Sequence, residues 1–269
     1  MALPHRPLSL VTGASAGIGA AFARALAARG HTLILTARRA DRLEALAGEL
    51  PCRVVVIPAD LAAPDGVAAL AERLAKEDLS PDWLINNAGY GVPYRLEASE
   101  WRVHRDFLRV MVEAPTELAR RLLPAMQRRG YGRIVNVASL AGFAPGTDGN
   151  TLYAASKAYL IRLSESLALE NRARGIKVTA LCPGFTRSEF HDVSGSRALV
   201  DRMPGWMWLS ADRVAEEGIA AVEAGRVIHV PGTANRLIRA LIKYLPDPLV
   251  RRLSARGAHR YRLASEGTP

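Results

Sequence analysis

The stretch that decides the fold runs from Leu8 to Arg29 and reads LSLVTGASAGIGAAFARALAAR. Its start, Leu8–Thr12, is an apolar run typical of a buried strand. After Ala16, apolar residues recur with the period of a helix that lies on a sheet. The turn between the two elements holds Gly13, Gly17 and Gly19. Such a turn lets a diphosphate approach the free N–H groups of the helix N-terminus, so it favours a nucleotide site over a plain glycine turn.

The alternation of apolar strands and amphipathic helices continues to about residue 234. The predicted strands are Leu8–Thr12, Thr32–Ala37, Arg53–Ile57, Trp83–Asn86, Arg133–Ala138, Lys177–Cys182 and Val227–Val230. The predicted helices are Ala16–Arg29, Arg39–Leu50, Pro64–Glu77, Ser99–Arg129 with a bend near Pro115, Asn150–Arg174, and Ala211–Ala224 with Ser210 as its cap. This pattern predicts an α/β fold: one doubly wound, Rossmann-like parallel sheet of seven strands with helices on both faces. We assign residues 1–234 to one dinucleotide-binding and catalytic domain.

The composition is that of a globular protein, with 49% apolar and 23% charged residues in 269. This balance excludes disorder as the main state of the chain. No apolar run approaches the roughly 18 residues of a membrane span, and the first residues lack the pattern of a signal peptide. The two cysteines, Cys52 and Cys182, cannot form a disulfide framework or a metal site. We expect a cytoplasmic protein without a transmembrane segment.

The formal net charge of +10 raises the question of nucleic-acid binding. The basic residues are scattered, however, except near the C-terminus, so we expect no nucleic-acid partner. Residues 235–269 hold eight Arg or Lys against two acids, with leucines and isoleucines among them. We predict that they form a basic, helical extension packed on the domain or on a partner subunit. The alternatives are contact with a membrane surface, or with an acidic carrier such as an acyl-carrier protein or coenzyme A.

The end of the second strand favours NADP(H) over NAD(H). It is followed by Arg38 and Arg39, and no acid occurs before Asp41. A guanidinium suits a phosphate, whereas a cofactor without the 2′-phosphate would favour an acid that holds its ribose hydroxyls. The alternative is a solvated basic start to the second helix.

A second group of residues points to acid–base chemistry. Tyr153 and Lys157 are four residues apart, which places both side chains on one face of a helix. An ammonium favours the phenolate, so we predict that Lys157 lowers the pKa of Tyr153. Ser139 follows the fifth strand. The ends of the strands border one crevice, so the Ser139 hydroxyl can reach a substrate oxygen that is bound there. The alternative is an ordinary exposed pair on a helix.

Taken together, these motifs resemble the short-chain dehydrogenase/reductase family. The matching pieces, in the family's order over about residues 8–230, are Thr12–Gly19, Asn86–Gly89, Ser139, Tyr153 with Lys157, and Pro183–Gly184. The resemblance implies that Tyr153 is the acid–base residue, that Ser139 polarises the carbonyl, and that Lys157 assists Tyr153 and holds the nicotinamide ribose. It also implies direct hydride transfer without a metal, and a homodimer or homotetramer.

The resemblance further implies the residues that contact the cofactor. Asp60 is expected beside the adenine, residues 87–89 beside the adenine-side ribose, and Thr186 beside the nicotinamide amide. The full predicted cofactor-binding set is Gly13, Ser15, Gly17, Ile18, Gly19, Arg38, Asp60, Leu61, Asn87, Ala88, Gly89, Tyr153, Lys157, Pro183, Gly184 and Thr186.

Two positions depart from the family's pattern. Met111 stands where the family usually has an asparagine that holds a water linked to the lysine, and a thioether cannot make an amide's hydrogen bonds. Ala16 stands where NADP-preferring members often carry a basic residue before the second glycine. The prediction of NADP(H) therefore depends on Arg38, with Ser15 and Arg39 as further candidates.

An apolar substrate is predicted from the segment after Gly184. The candidate wall residues are Phe185, Phe190, Met203, Trp206, Met207 and Trp208, faced by Tyr90, Val92, Pro93, Tyr94 and Phe143. Alternatively, the two tryptophans pack in the core or in a subunit contact. We predict an NADP(H)-dependent oxidoreductase that reduces an apolar ketone, aldehyde or 3-oxoacyl compound. The alternative function is a non-catalytic nucleotide-binding or scaffold protein on the same fold.

Overall fold

The computed structural model describes residues 6–92, 95–146, 148, 151–189, 204–246 and 248–252. Its main strands are β1 (Leu8–Thr12), β2 (Thr32–Thr36), β3 (Val54–Val56), β4 (Trp83–Asn86), β5 (Gly132–Val137), β6 (Ile176–Leu181) and β9 (Ile228–His229). They form one sheet in the order β3-β2-β1-β4-β5-β6-β9. Every neighbouring pair in this sheet is parallel, which confirms the predicted seven-stranded doubly wound architecture.

Helices cover both faces of the sheet. They are α1 (Gly17–Ala28), α2 (Ala40–Glu49), α3 (Gly66–Lys76), α4 (Trp101–Leu108), α5 (Ala114–Arg129), α6 (Thr151–Asn171), α7 (Ala211–Glu223) and α8 (Thr233–Tyr244). One apolar core joins α1, α2 and α7 to the sheet, with Phe22, Leu43 and Ile219 at its centre. The other joins α3 and α5 to the opposite face through Leu70 and Leu118.

The predicted helix over Ser99–Arg129 is interrupted. A π-helical turn, Arg109–Glu113, separates α4 from α5. Pro115 lies directly after it and has no N–H to donate, so a regular α-helical hydrogen-bond ladder cannot pass this point. The helix predicted to be bent or broken near Pro115 is broken there, and the break has the form of a widened turn.

Some short elements were not predicted. β7 (Thr186–Arg187) and β8 (Leu209–Ser210) pair in parallel beside the main sheet, and two residues are too few to show a hydrophobic period. Ser210 caps α7 as predicted, since its hydroxyl accepts a hydrogen bond from Arg213 N at 3.2 Å.

The described part of the C-terminal segment is mainly helical. α8 starts at Thr233 and ends before Pro246, and residues 248–252 are again helical. Pro248 opens this second turn. The first turn of a helix tolerates proline because N–H groups there have no intrahelical partner.

A line of buried polar side chains crosses the middle of the sheet. Asn86 Nδ2 donates to Asn136 Oδ1 at 2.8 Å, and also to Pro115 O at 3.2 Å. Asn136 Nδ2 donates to Ser164 Oγ at 2.9 Å. This line, which we call the transverse amide chain, connects β4, β5 and α6. It ties the catalytic candidate helix α6 to the centre of the sheet.

Candidate active site

The glycine turn between β1 and α1 allows another group to approach its backbone closely. Gly13 has a φ of 64°, which disfavours any residue with a side chain. A Cβ on Gly19 would lie only 2.3 Å from Gly13 O. Ala16, at the N-cap of α1, makes no side-chain hydrogen bond, and the first turn holds no acid. The N–H groups of this helix start are thus left without a side-chain cap, as an anion site requires.

The segment after β4 is fastened to this turn. Thr12 Oγ1 accepts hydrogen bonds from Asn87 N at 2.9 Å and from Ala88 N at 3.0 Å. The Asn87 amide donates in return to Thr12 O and Gly13 O. Gly89 lies next in this segment, and a Cβ there would meet the Met111 sulfur at 2.9 Å. The predicted residues 87–89 therefore lie beside the glycine turn, with Thr12 as an anchor whose role was not predicted.

Arg38 and Asp60 lie at the ends of neighbouring strands on the same edge of the sheet. Both side chains are exposed, and Asp60 accepts a hydrogen bond from Ala62 N. The charges of both side chains affect the pKa of the Tyr90 phenol, which is raised mainly by burial. Asp60 adds to that increase and Arg38 opposes it. Leu61 is buried in the apolar core below.

A cluster of charged groups that sequence reasoning did not find lies over the glycine turn. Arg39 donates to Ser15 Oγ at 3.0 Å and to Glu189 at 3.3 Å. Arg42 donates to both oxygens of Glu189 at 2.7 Å. These hydrogen bonds hold the pKa of Glu189 below its usual range. The partners are about 150 positions apart in the chain, so no local pattern reveals the contact.

Ser139 and Tyr153 meet at the carboxyl end of β5. Ser139 begins a 3₁₀ turn, Leu140–Phe143, and its hydroxyl accepts a hydrogen bond from Ala141 N at 3.1 Å. Burial raises the pKa of the Tyr153 phenol to about 12, and a hydrogen bond with the Ser139 side chain opposes this increase. The phenol is therefore protonated at neutral pH.

Lys157 lies one helical turn beyond Tyr153, deep in the site. Its ammonium donates to Val137 O at 2.7 Å and is 5.7 Å from the centroid of the Tyr153 ring. Burial lowers the lysine pKa to about 8. The predicted lowering of the Tyr153 pKa by Lys157 is wrong for this arrangement, because loss of solvation by the phenol is the largest effect.

The turn after β6 completes the crevice. Pro183 O accepts a hydrogen bond from Leu140 N at 2.8 Å, which joins this turn to the one that Ser139 begins. Thr186 is buried and donates to Gly184 O. A Cβ on Gly184 would lie 2.4 Å from Asn235 Oδ1, so the start of α8 is seated against Gly184. Nothing in the local sequence indicated this role for Asn235.

The comparisons with known proteins agree with this geometry. The family described as short chain dehydrogenase matches residues 8–197. The chain belongs to the short-chain dehydrogenase family. Nodulation protein G of Rhizobium sp. (strain N33) is 39% identical over 236 residues, which cover 83% of this chain and 95% of that protein. The 3-oxoacyl-[acyl-carrier-protein] reductase FabG of Escherichia coli (strain K12) is 34% identical over 197 residues, covering 72% and 77%.

A solved structure supports the same assignment. The short-chain dehydrogenase from Sphingobium yanoikuyae in complex with NADPH matches with a TM-score of 0.77 and 32% identity, over 89% of this chain and 96% of that one. This short-chain dehydrogenase is therefore an oxidoreductase of CH–OH and C=O groups by family. The alternative of a non-catalytic scaffold protein finds no support.

Met111 in this short-chain dehydrogenase lies in the π-helical turn and is 1% exposed. It packs with Val92 and Phe107 in an apolar cluster that also contacts Tyr153. A small cavity beside it is lined by Thr12 and Asn86 among others. The predicted departure at this position therefore lies next to the site itself.

The predicted apolar wall is formed in part. The rings of Phe185 and Trp208 pack with centroids 5.6 Å apart, and Tyr90 meets Phe107 edge-on. Arg239 lies over Phe143 at 4.8 Å. Trp206 is 67% exposed, so the alternative that it packs in the core of the chain is wrong. The other predicted wall residues Pro93, Tyr94, Phe190 and Met203 lie outside the described residues.

Proposed function

We propose that this short-chain dehydrogenase uses NADP(H) to reduce an apolar ketone, aldehyde or 3-oxoacyl compound. The observation that carries the proposal is the position of the Tyr153 phenol. It is hydrogen-bonded to Ser139 and lies at the same sheet edge as the uncapped start of α1. The carboxyl ends of β1 and β5, which position the diphosphate cradle and the proton donor, belong to one parallel sheet, and this supports a shared site.

The residues of the chain fit a dinucleotide. The glycine turn leaves no room for side chains, and the start of α1 offers unpaired N–H groups to a diphosphate. A bound nicotinamide supplies the hydride. Tyr153, protonated at neutral pH, gives its proton to the substrate oxygen during reduction and takes one back during oxidation. Ser139 orients that oxygen, and Lys157, with a pKa of about 8, presents a cation below it.

Arginine side chains support NADP(H) over NAD(H). Arg38 is exposed at the end of β2, and Arg39 contacts Ser15 of the glycine turn. No carboxylate follows β2 directly, and a guanidinium recognises a phosphate in bidentate fashion. The Sphingobium relative is described as a complex with NADPH, which agrees with this preference.

The substrate class follows from the apolar wall and from the relatives. Phe185 and Tyr90 directly follow the site residues Gly184 and Gly89, and Trp208 packs on Phe185, so aromatic side chains next to the site suit an apolar carbonyl compound. The Escherichia coli relative is named for a 3-oxoacyl substrate. We further propose that residues 1–234 form the catalytic domain, that 235–269 form an extension, and that the enzyme is a cytoplasmic homodimer or homotetramer.

Replacement of Tyr153 tests this function. Tyr153→Phe removes the proton donor, so NADPH oxidation with an apolar ketone should fall by about 10²- to 10⁴-fold. Fluorescence titration should show unchanged NADPH binding, because the glycine turn is intact. Tyr159→Phe is the matched control, since its exposed phenol lies on the same helix and bonds Thr116 instead. Wild-type turnover in Tyr153→Phe would rule out the proposed mechanism.

A further inference from the structure

Helix α8 has two faces of different character. Its inner face is fixed: Asn235 is buried against Gly184, and Arg239 lies over Phe143. Its outer face carries Leu237, Leu241 and Tyr244, which are 63%, 48% and 75% exposed. Spacings of four and three place these three side chains on one stripe of the helix. We call this stripe the outer α8 face.

The apolar surface extends beyond the helix. Trp206 is 67% exposed in a turn that packs against α8, and Leu249 is 43% exposed in the helical turn that follows. Single exposed apolar residues are common on proteins, but three of them on one helix stripe, with an exposed tryptophan in a turn that packs against that helix, indicate a contact surface. Tryptophan and tyrosine are also the residues that favour the headgroup level of a bilayer.

Cations dominate the charges around this surface, and Glu217, 4.0 Å from Arg236, is an acid at its edge. Arg236, Lys243, Arg251 and Arg252 are exposed along it, and the Lys243 ammonium lies 5.2 Å from the Tyr244 ring centroid. The sequence holds no acid from Gly225 to Pro246. Arg256, Arg260 and Arg262 add further cations in the chain that follows.

We propose that the outer α8 face, with Trp206 and residues 248–252, binds the surface of a membrane rich in anionic lipid. The apolar stripe enters the headgroup region, while the long basic side chains reach the lipid phosphates. A second copy of the chain is a poorer partner. In a two-fold contact the same cations would face each other, whereas anionic lipid complements them.

The position of the outer α8 face would bring a bound membrane close to the candidate active site. α8 packs against the 3₁₀ turn that follows Ser139, so a membrane on its outer face lies near the candidate active site. An apolar substrate dissolved in lipid would then be close to the crevice. None of the helices in the described ranges is long and apolar enough to cross a bilayer, so the contact is with the surface.

Vesicle co-sedimentation tests the proposal and needs no substrate. The wild type should pellet with phosphatidylcholine vesicles that contain about one third phosphatidylglycerol, and not with pure phosphatidylcholine. High salt should weaken the binding by screening. The double variant Leu237→Gln/Leu241→Gln should lower the fraction bound to anionic vesicles by about tenfold, since it removes the apolar contact.

The control makes the same Leu→Gln substitution at an exposed leucine outside the outer α8 face. Leu169→Gln alters a leucine that is 74% exposed on α6, and it should bind vesicles like the wild type. Trp206→Phe should lose the blue shift of tryptophan fluorescence on binding, whereas Trp101→Phe on α4 should keep it. Unchanged NADPH binding shows that each variant is folded.

Four results would overturn the proposal. The first is a wild type that stays in the supernatant with anionic vesicles. The second is a Leu237→Gln/Leu241→Gln variant that binds like the wild type. The third is a variant whose subunit number changes without vesicles, since this would identify the face as a contact between copies. Binding to an acidic acyl-carrier protein in place of vesicles would also count against it.

Discussion

Tyr153 and Lys157 show how burial acts on single side chains in the site. The phenol has its pKa raised to about 12, and the ammonium has its pKa lowered to about 8. The sequence places the two residues on one helix face, and that part of the prediction needs only their spacing. The direction of the tyrosine pKa shift depends on loss of water around the phenol. No local pattern shows that loss, which explains why the sequence-based prediction was wrong.

Lys157 makes stability depend on pH. Its pKa falls from 10.5 to about 8 on folding, so the folded protein releases this proton before the unfolded chain does. Between these values stability relative to Lys157→Met should rise with pH, by about 2 kcal/mol from about pH 8 to 10. Below the folded pKa the difference should be flat, because both states then hold the proton.

Urea unfolding of both proteins at several pH values measures this difference. Tyr153 and Cys182 also affect the pH dependence, because their pKa values are both raised to about 12 in the folded protein. Their contributions to the free energy of unfolding fall as pH rises through the pKa values of the same groups in the unfolded chain. Both residues are present in each protein, so their effects cancel to first order. A difference that falls with pH, or that does not change, would contradict a lysine that titrates at a lowered pKa.

Arg38 should decide between the two nicotinamide cofactors. If its exposed guanidinium binds the 2′-phosphate, Arg38→Ala should raise the Kd for NADPH by about 10- to 100-fold and leave the Kd for NADH nearly unchanged. Arg53→Ala is the matched control. It also removes one positive charge, but Arg53 precedes β3, whereas Arg38 follows β2. The two arginines therefore lie at opposite edges of the parallel sheet. Equal losses for both cofactors in Arg38→Ala would exclude the 2′-phosphate role.

At the scale of elements, the sequence predicts the main strands to within about two residues at each end. Their apolar runs stop at glycines or polar residues, and those stops are visible in the printed chain. The π-helical turn at Arg109–Glu113 was not visible as such, because one extra residue per turn leaves no compositional mark. β7 and β8 escaped for another reason: each has two residues, which are too few to show a hydrophobic period.

The π-helical turn presents Met111 beside the site, and its replacement should be tolerated. Met111→Asn gives the turn an amide that can hold water by hydrogen bonds, so turnover should stay the same or rise. Stability should fall by about 1 to 3 kcal/mol because the new amide is buried. Steady-state kinetics and urea unfolding measure the two effects. Met111→Leu, which keeps the volume, serves as the control and should match the wild type.

A large loss of turnover in Met111→Asn, with Met111→Leu active, would show that the reaction requires an apolar side chain at this position.

At the scale of the molecule, the order of strands followed from the alternation of elements and the right-handed crossover rule. The contacts between distant parts of the chain did not follow. Asn235 against Gly184, and Glu189 with Arg39 and Arg42, bring together residues separated by 50 or more positions. Only the folded coordinates place them, since each residue alone reads as an ordinary polar surface group.

The transverse amide chain should be tightly coupled. Asn136→Leu removes one of the two acceptors of the buried Asn86 amide and leaves only Pro115 O, so it should cost about 1 to 3 kcal/mol of unfolding free energy. Asn86→Leu/Asn136→Leu removes both partners and should cost less than the sum of the two single variants. Urea unfolding of the three proteins gives the coupling. Additive losses would mean that the two amides are independent.

The transverse amide chain also bears on how the polypeptide matures. Asn86, Asn136 and Ser164 are contributed by segments 50 and 28 residues apart. A nascent chain that has emerged only through β5 carries an amide whose acceptor has not yet been synthesised. In such a fragment a buried amide lacks its hydrogen-bond partner, so the central strands are not stably folded until α6 has been synthesised. Premature termination before α6 should therefore yield products that chaperones and proteases recognise as incomplete.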